Sequence, residues 1–175
     1  LRKLVAHRDR SVRARALALL ADEGDLTLMA KLLVEYPDSE EARRRAHWMD
    51  RVGLTAEQRH ERAEELFRFR AYDLAAPEYE GLARSEDPRI RQTAHLRRAT
   101  IQMRMREGYG ISHGHLLEVL KGPEAKLRKD ALYRLGLVLG HQREHDAGRD
   151  MMKRFIAESR PGRRQMNARY QVGRL

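Results

Sequence analysis

The chain has 175 residues and a formal net charge of +10, with 36 Lys/Arg against 26 Asp/Glu. It has no cysteine, which excludes disulfide bonds and thiolate metal sites. No apolar run approaches the roughly 20 residues that a membrane-spanning helix needs, so we expect no membrane span.

The strong helix formers Ala, Leu, Arg and Glu dominate, and no stretch alternates apolar and polar residues as a strand would. The sequence therefore predicts an all-α fold. Turn and capping signals divide it into predicted helices over residues 10–22, 26–36, 39–50, 56–70, 72–85, 88–107, 111–121, 124–141, 144–158 and 163–175. Short turns join these helices, so consecutive helices are expected to be antiparallel neighbours.

Three helix starts have clear capping signals. Asp38 or Ser39 can cap the helix that begins near residue 39. Thr55 with Gln58 three residues later forms the pattern of a capping box. Asp87 stands before Pro88, and proline suits the first position of a helix.

Small residues recur at a fixed period of 37 in the C-terminal half. They form two sets: Ala94, Ala131 and Ala168, and Ala99, Gly136 and Gly173. Such a period predicts a solenoid of stacked helix pairs, because one pair cannot bury its apolar face alone. Small residues such as Gly136 and Gly148 are expected to let the two helices of a pair approach closely.

A small residue in one helix is followed by Tyr72 just before the next helix, by Ala75 within it and by Pro88 after it. This pattern resembles the tetratricopeptide repeat family. The period is longer than usual for that family, and its Trp is absent from the usual place. The resemblance implies a right-handed α-solenoid of antiparallel helix pairs in one helical-repeat domain, 1–175. Irregular helices would fill 1–54, and repeats would cover about 55–88, 89–122, 123–160 and a truncated copy from 161.

A narrower resemblance lies at AEELFRFRAYDLAAPEYEGLA (63–83), within about residues 34–88. It is similar to the superhelical domain of bacterial soluble lytic murein transglycosylases and to related periplasmic cell-envelope proteins. This implies a non-catalytic segment of a periplasmic protein, with a cytoplasmic location as the alternative. The chain begins at Leu1 rather than Met and stops inside a helical pattern, which predicts a segment of a longer protein. If that longer protein is a peptidoglycan lytic enzyme, its catalytic domain is expected outside this segment.

The stretch HQREH (141–145) matches H-x-x-E-H, a spacing of one class of zinc peptidases. In the 37-residue frame, however, it aligns with the turn between two helices of the preceding repeat. The frame therefore predicts a turn rather than a metal site, and no cofactor, metal or catalytic residue is expected in this segment. His113 and His115 lie two apart on a helix and point away from each other, so they are expected to be solvated or packed.

Charge is distributed unevenly and is the remaining functional signal. Residues 1–88 have a net charge of −2, whereas residues 89–175 have one of +12. In tetratricopeptide-like stacking the first helix of each pair lines the inner groove. The partner-binding candidates on that face are Arg97, Arg104, Tyr133, Arg134, His141, Asn167, Tyr170 and Arg174. The alternative for Tyr133 and Tyr170 is a place in the core between repeats.

These observations lead to three functional hypotheses. The first is a non-catalytic scaffold that binds a protein or an extended peptide, with an acidic peptide as one candidate. The second is the superhelical part of a lytic murein transglycosylase, for which an anionic glycan is a possible partner. The third is a helical-repeat RNA-binding module, ranked last because the repeats lack a regular set of base-reading residues.

Overall fold

The computed structural model describes residues 2–105 and 108–175, and within these residues the chain is all-α, without a strand. Single 3-10 turns lie at Arg2–Ala6 and Ala46–Trp48. The α-helices are α1 Arg10–Ala21, α2 Leu26–Glu35, α3 Glu40–Arg44, α4 Met49–Val52, α5 Ala56–Arg68, α6 Tyr72–Leu82, α7 Pro88–Met105, α8 Tyr109–Lys121, α9 Ala125–His141, α10 His145–Glu158 and α11 Arg163–Arg174.

Nine of the ten predicted helices have a single counterpart within a few residues, and the exception is the helix predicted over 39–50. There the chain forms α3, a 3-10 turn and α4. Arg45 leaves the helical conformation and its guanidinium reaches back to Asp22, with Nε 2.8 Å from Oδ1. Helix propensity does not report such a long-range ion pair. The last two positions of the helix predicted over 88–107 lie outside the described residues.

The predicted caps are present. Ser39 rather than Asp38 caps α3, its side chain accepting from the Ala42 amide. Thr55 and Gln58 form the reciprocal capping box of α5. The Asp87 carboxylate accepts from the Arg89 amide at 2.7 Å at the start of α7.

Contacts divide the chain into two compact units, Leu1–Glu78 and Tyr79–Leu175, with the boundary inside α6. In the first unit α1 packs against α2, and α2 packs against α5. The core contains Ala14, Leu17, Ala18 and Ala21 of α1, Met29, Leu32 and Leu33 of α2, and Tyr36 and Ala42.

In the second unit each helix packs against the next one along the chain, from α7 to α11, and α7 also contacts α9. Two apolar clusters form the core. One joins α7, α8 and α9 around Leu96, Leu116 and Leu135, and the other joins α9, α10 and α11 around Leu132 and Phe155.

Helices α9 and α10 approach each other closely at two glycines, as the small-residue pattern predicts. A Cβ placed on Gly136 would lie 3.1 Å from the carbonyl oxygen of Gly148 and 2.8 Å from Cγ of Met152. A Cβ on Gly148 would lie 3.1 Å from the carbonyl oxygen of Gly136. Gly173, at the equivalent position of α11, is exposed, with nothing within 4 Å of its Cβ position.

Three side chains at 37-residue intervals make the same hydrogen bond in the second unit. Arg91, Arg128 and Gln165 each donate to a carbonyl six residues earlier: to Ser85 at 2.7 Å, Gly122 at 2.8 Å and Ser159 at 2.9 Å. Each bond satisfies a carbonyl in the turn before α7, α9 or α11, where the preceding helix leaves acceptors unpaired. The period seen in the small residues therefore recurs in the hydrogen bonding.

Candidate functional site

Three of the predicted partner-binding residues come together between α9 and α11. The amide of Asn167 donates to the hydroxyl of Tyr133 at 3.0 Å. Arg134, one residue further along α9, pairs with Asp130, its Nε 2.7 Å from Oδ2. Arg164 of α11 also pairs with Asp130, and its guanidinium carbon lies 4.4 Å from the centroid of the Tyr133 ring. We call Asp130, Tyr133, Arg134, Arg164 and Asn167 the α9–α11 cluster.

Asp130 is the only carboxylate of this cluster. Its burial alone would raise its pKa, but the nearby guanidinium groups of Arg134 and Arg164 outweigh burial and hold the pKa below its usual range. Asp130 therefore stays ionised at neutral pH and holds the two arginines in place across α9 and α11.

Three more predicted residues lie nearer the other ends of the same two helices. His141 is exposed and stacks on the Tyr109 ring at 4.4 Å between centroids. Tyr170 is 62% exposed, and Arg174 lies 5.8 Å from its ring centroid. A cavity of about 270 Å³ opens here, lined by residues that include Leu137, Gly140, His141, Gln171 and Arg174.

The remaining two predicted residues, Arg97 and Arg104, lie on α7, where Arg97 is half-buried and Arg104 is exposed. The contacts described above join the candidates on α9 with those on α11. The alternative of a core position suits Tyr133, which is half-buried with its ring 5.2 Å from that of Phe155, but not the exposed Tyr170.

The sequence reading missed a basic cavity of about 570 Å³ at the start of α9 and α11. Its cations are Lys126, Lys129, Arg160, Arg163 and Arg164, and Asp130 is its only carboxylate among the described residues. A signal for it was available, because Arg89, Lys126 and Arg163 recur at the 37-residue period. The other cations follow no period, so only the fold brings them together.

The HQREH stretch is a turn, as the repeat frame predicts. Helix α9 ends at His141 and α10 begins at His145, so the two histidines lie on different helices. Between them Arg143 takes a left-handed conformation with φ of 65°. The described residues contain no group of three or more His, Cys, Asp or Glu side chains that could hold a metal ion.

His115 is packed rather than solvated. It is half-buried, and its Nδ1 lies 2.9 Å from Nδ1 of His95. Burial lowers the pKa of both imidazoles. For His115 the neighbouring His95 lowers the pKa further. A hydrogen bond between the two rings needs at least one of them neutral, so protonation of both breaks it.

Because of the His95–His115 pair, we expect the protein to lose stability in mild acid. Both folded-state pKa values lie below the ordinary value of 6.5, so as pH falls below 6.5 the unfolded chain takes up more protons than the folded chain. The free energy of unfolding, measured by urea denaturation, should therefore decrease from pH 7.5 to pH 5.5. The free energy of unfolding of the double variant His95→Gln/His115→Gln should decrease less over that pH range.

Removal of two exposed histidines is the control for this prediction. His47→Gln/His145→Gln changes the same number of imidazoles without touching the pair. Its pH dependence should match that of the unsubstituted chain. An equal pH dependence in both double variants would contradict the assignment to His95 and His115.

Comparisons of the chain with protein-family models, with curated proteins and with solved structures find no match. The resemblances to tetratricopeptide repeats and to transglycosylase superhelical domains therefore rest on the sequence pattern. Among the described helices, none is both long enough and apolar enough to cross a membrane.

Proposed function

We propose that the chain is a non-catalytic interaction scaffold of the tetratricopeptide type, an α-solenoid that binds an extended segment of a protein partner. The binding surface would be the faces of α9 and α11 that hold the α9–α11 cluster and the Tyr170–Arg174 pair. The observation that carries this proposal is the contact between α9 and α11, made by Asn167 and Tyr133 at 3.0 Å, because these helices are the first ones of successive predicted repeats.

The repeat itself is supported by two independent patterns. Ala94, Ala131 and Ala168 are each fully buried at a spacing of 37. The hydrogen bonds from residues 91, 128 and 165 to the carbonyl six residues earlier follow the same spacing. A helix-pair array in which each repeat contacts only its neighbours gives both patterns.

The chemistry of the surface suits a polypeptide. Tyrosine combines a large apolar ring with a hydroxyl, and arginine offers several donors, which is why both are enriched where proteins meet. The amide of Asn167 and the hydroxyl of Tyr133 already orient each other, and Tyr170 presents its ring to solvent. A periplasmic location and a place in a lytic murein transglycosylase remain predictions of the sequence pattern.

Selection from a displayed library of random 12-residue peptides tests this function. Peptides that bind the full chain should lose about tenfold in affinity for the double variant Tyr170→Ala/Arg174→Ala, which removes about 1.4 kcal/mol of contact. The affinity would be measured by fluorescence polarisation of the labelled peptides.

The matched control is Leu117→Ala/Lys121→Ala on α8. It also removes an exposed large apolar side chain and a cation four residues apart. Peptide affinity should be unchanged in this variant. Equal affinity in both variants would contradict the proposed surface, and failure to select any binding peptide would contradict the interaction function.

A further inference from the structure

The basic cavity holds more positive charge than its own residues neutralise. Lys126 and Lys129 lie on one side, in the first turns of α9. Arg160 and Arg163 lie on the other side, in the turn before α11 and at its first residue. None of these four side chains has an ion pair within the described part of the chain.

The acid within the cavity does not offset this charge. Asp130 already pairs with Arg134 and Arg164. The start of α11 adds to the positive potential, because Gly162 at the N-cap has no side chain to accept from the first amides of the helix. The cavity is therefore a cluster of cations that the carboxylate lining it does not neutralise.

The cavity is continuous with the surface proposed above. Asp130 and Arg164 line the cavity and belong to the α9–α11 cluster. A segment lying along α9 and α11 past Tyr133 would reach the cations at the start of both helices. The occupant of the cavity is thus expected to be part of the same partner.

The aromatic groups of the cavity favour a polypeptide over RNA. Single-stranded nucleic acid gains much of its affinity by stacking bases on open aromatic faces. Phe155, which lines the cavity, is only 3% exposed. The neighbouring Tyr133 ring is covered by the Arg164 guanidinium at 4.4 Å. The described lining therefore offers charge without a stacking platform.

We infer that the cavity bounded by Lys126, Lys129, Arg160 and Arg163 binds the carboxylates of an acidic segment of the protein partner. This inference rests on the proposed interaction function and names the chemistry of its partner. Attraction between exposed cations and carboxylates is screened by salt, so affinity should fall as ionic strength rises.

The test uses a fluorescein-labelled 12-residue peptide with six Glu/Asp residues, and its Gln/Asn counterpart as the neutral probe. The acidic probe should bind the full chain more tightly than the neutral probe. The double variant Lys126→Glu/Arg160→Glu should weaken its binding about tenfold or more, since it replaces two attractions with two repulsions. Fluorescence polarisation at two salt concentrations measures both effects.

A charge-matched control separates the cavity from the overall positive charge. Lys153→Glu/Arg169→Glu changes the net charge by the same amount at exposed positions that do not line the cavity. Binding of the acidic probe should be nearly unchanged in this variant. An equal loss in both double variants would overturn the cavity as the binding site.

Two further outcomes would overturn the inference. One is tighter binding of a 12-nucleotide oligouridylate than of the acidic peptide, lost in Lys126→Glu/Arg160→Glu, which would assign the cavity to RNA. The other is no binding of the acidic peptide while library peptides still require Tyr170 and Arg174. That result would leave the proposed function standing, whereas the absence of any peptide binding would overturn both.

Discussion

Replacing Gly136 with valine should destabilise the second unit by about 3 kcal/mol. Even a single Cβ at Gly136 would lie 2.8 Å from Cγ of Met152 and 3.1 Å from the carbonyl oxygen of Gly148. Met152 can move only by disturbing a core in which it is fully buried, and the Gly148 backbone can move only with α10. The two added methyl groups then force α9 and α10 apart. Urea denaturation followed by circular dichroism measures the loss.

The same substitution at Gly114 is the control. Gly114 lies inside α8 with nothing within 4 Å of its Cβ position. Valine has a better helix propensity than glycine, so Gly114→Val should leave stability unchanged or raise it by about 0.5 kcal/mol. Equal effects at the two positions would contradict the close approach of α9 and α10 at Gly136.

The all-α fold and most helix positions follow from the sequence because their signals are local. Composition, the Thr55–Gln58 capping box and Asp87 before Pro88 act within one turn of helix. The break between α3 and α4 was not predicted, because it accompanies a contact between Arg45 and Asp22, which lies 23 residues earlier in the chain. No local pattern marks such a contact.

The candidate site was only partly predictable for a similar reason. A repeat frame assigns Tyr133 and Tyr170 the same position, yet Tyr133 is half-buried and Tyr170 is 62% exposed. Tyr133 lies against Phe155 and beneath Arg164, and those neighbours come from other helices. The frame predicts which residues share a face, whereas the packing of that face depends on the helices around it.

Replacing Arg62 with methionine should destabilise the first unit strongly. Arg62 lies on α5 and is only 7% exposed. Its Nε donates to Oε1 of Glu78 at 2.8 Å, and its Nη1 donates to the Leu33 carbonyl at 2.6 Å. Arg62→Met keeps much of the side-chain volume but leaves a nearly buried carboxylate and a carbonyl without their donor. Removing one member of a buried pair costs about 3 kcal/mol or more. Fluorescence of Trp48, the chain's single tryptophan, which packs against the core of this unit, measures the loss in urea.

Two controls separate the uncompensated charge from the loss of an arginine. Arg44→Met removes the same group from an exposed pair with Glu40, where about 0.5 kcal/mol or less is expected. Arg62→Met/Glu78→Met removes both members of the buried pair and should recover part of the loss, because no buried charge is left unpaired. A double variant as unstable as Arg62→Met would mean that the Leu33 carbonyl or the packing of α5, rather than the stranded Glu78 carboxylate, sets the cost.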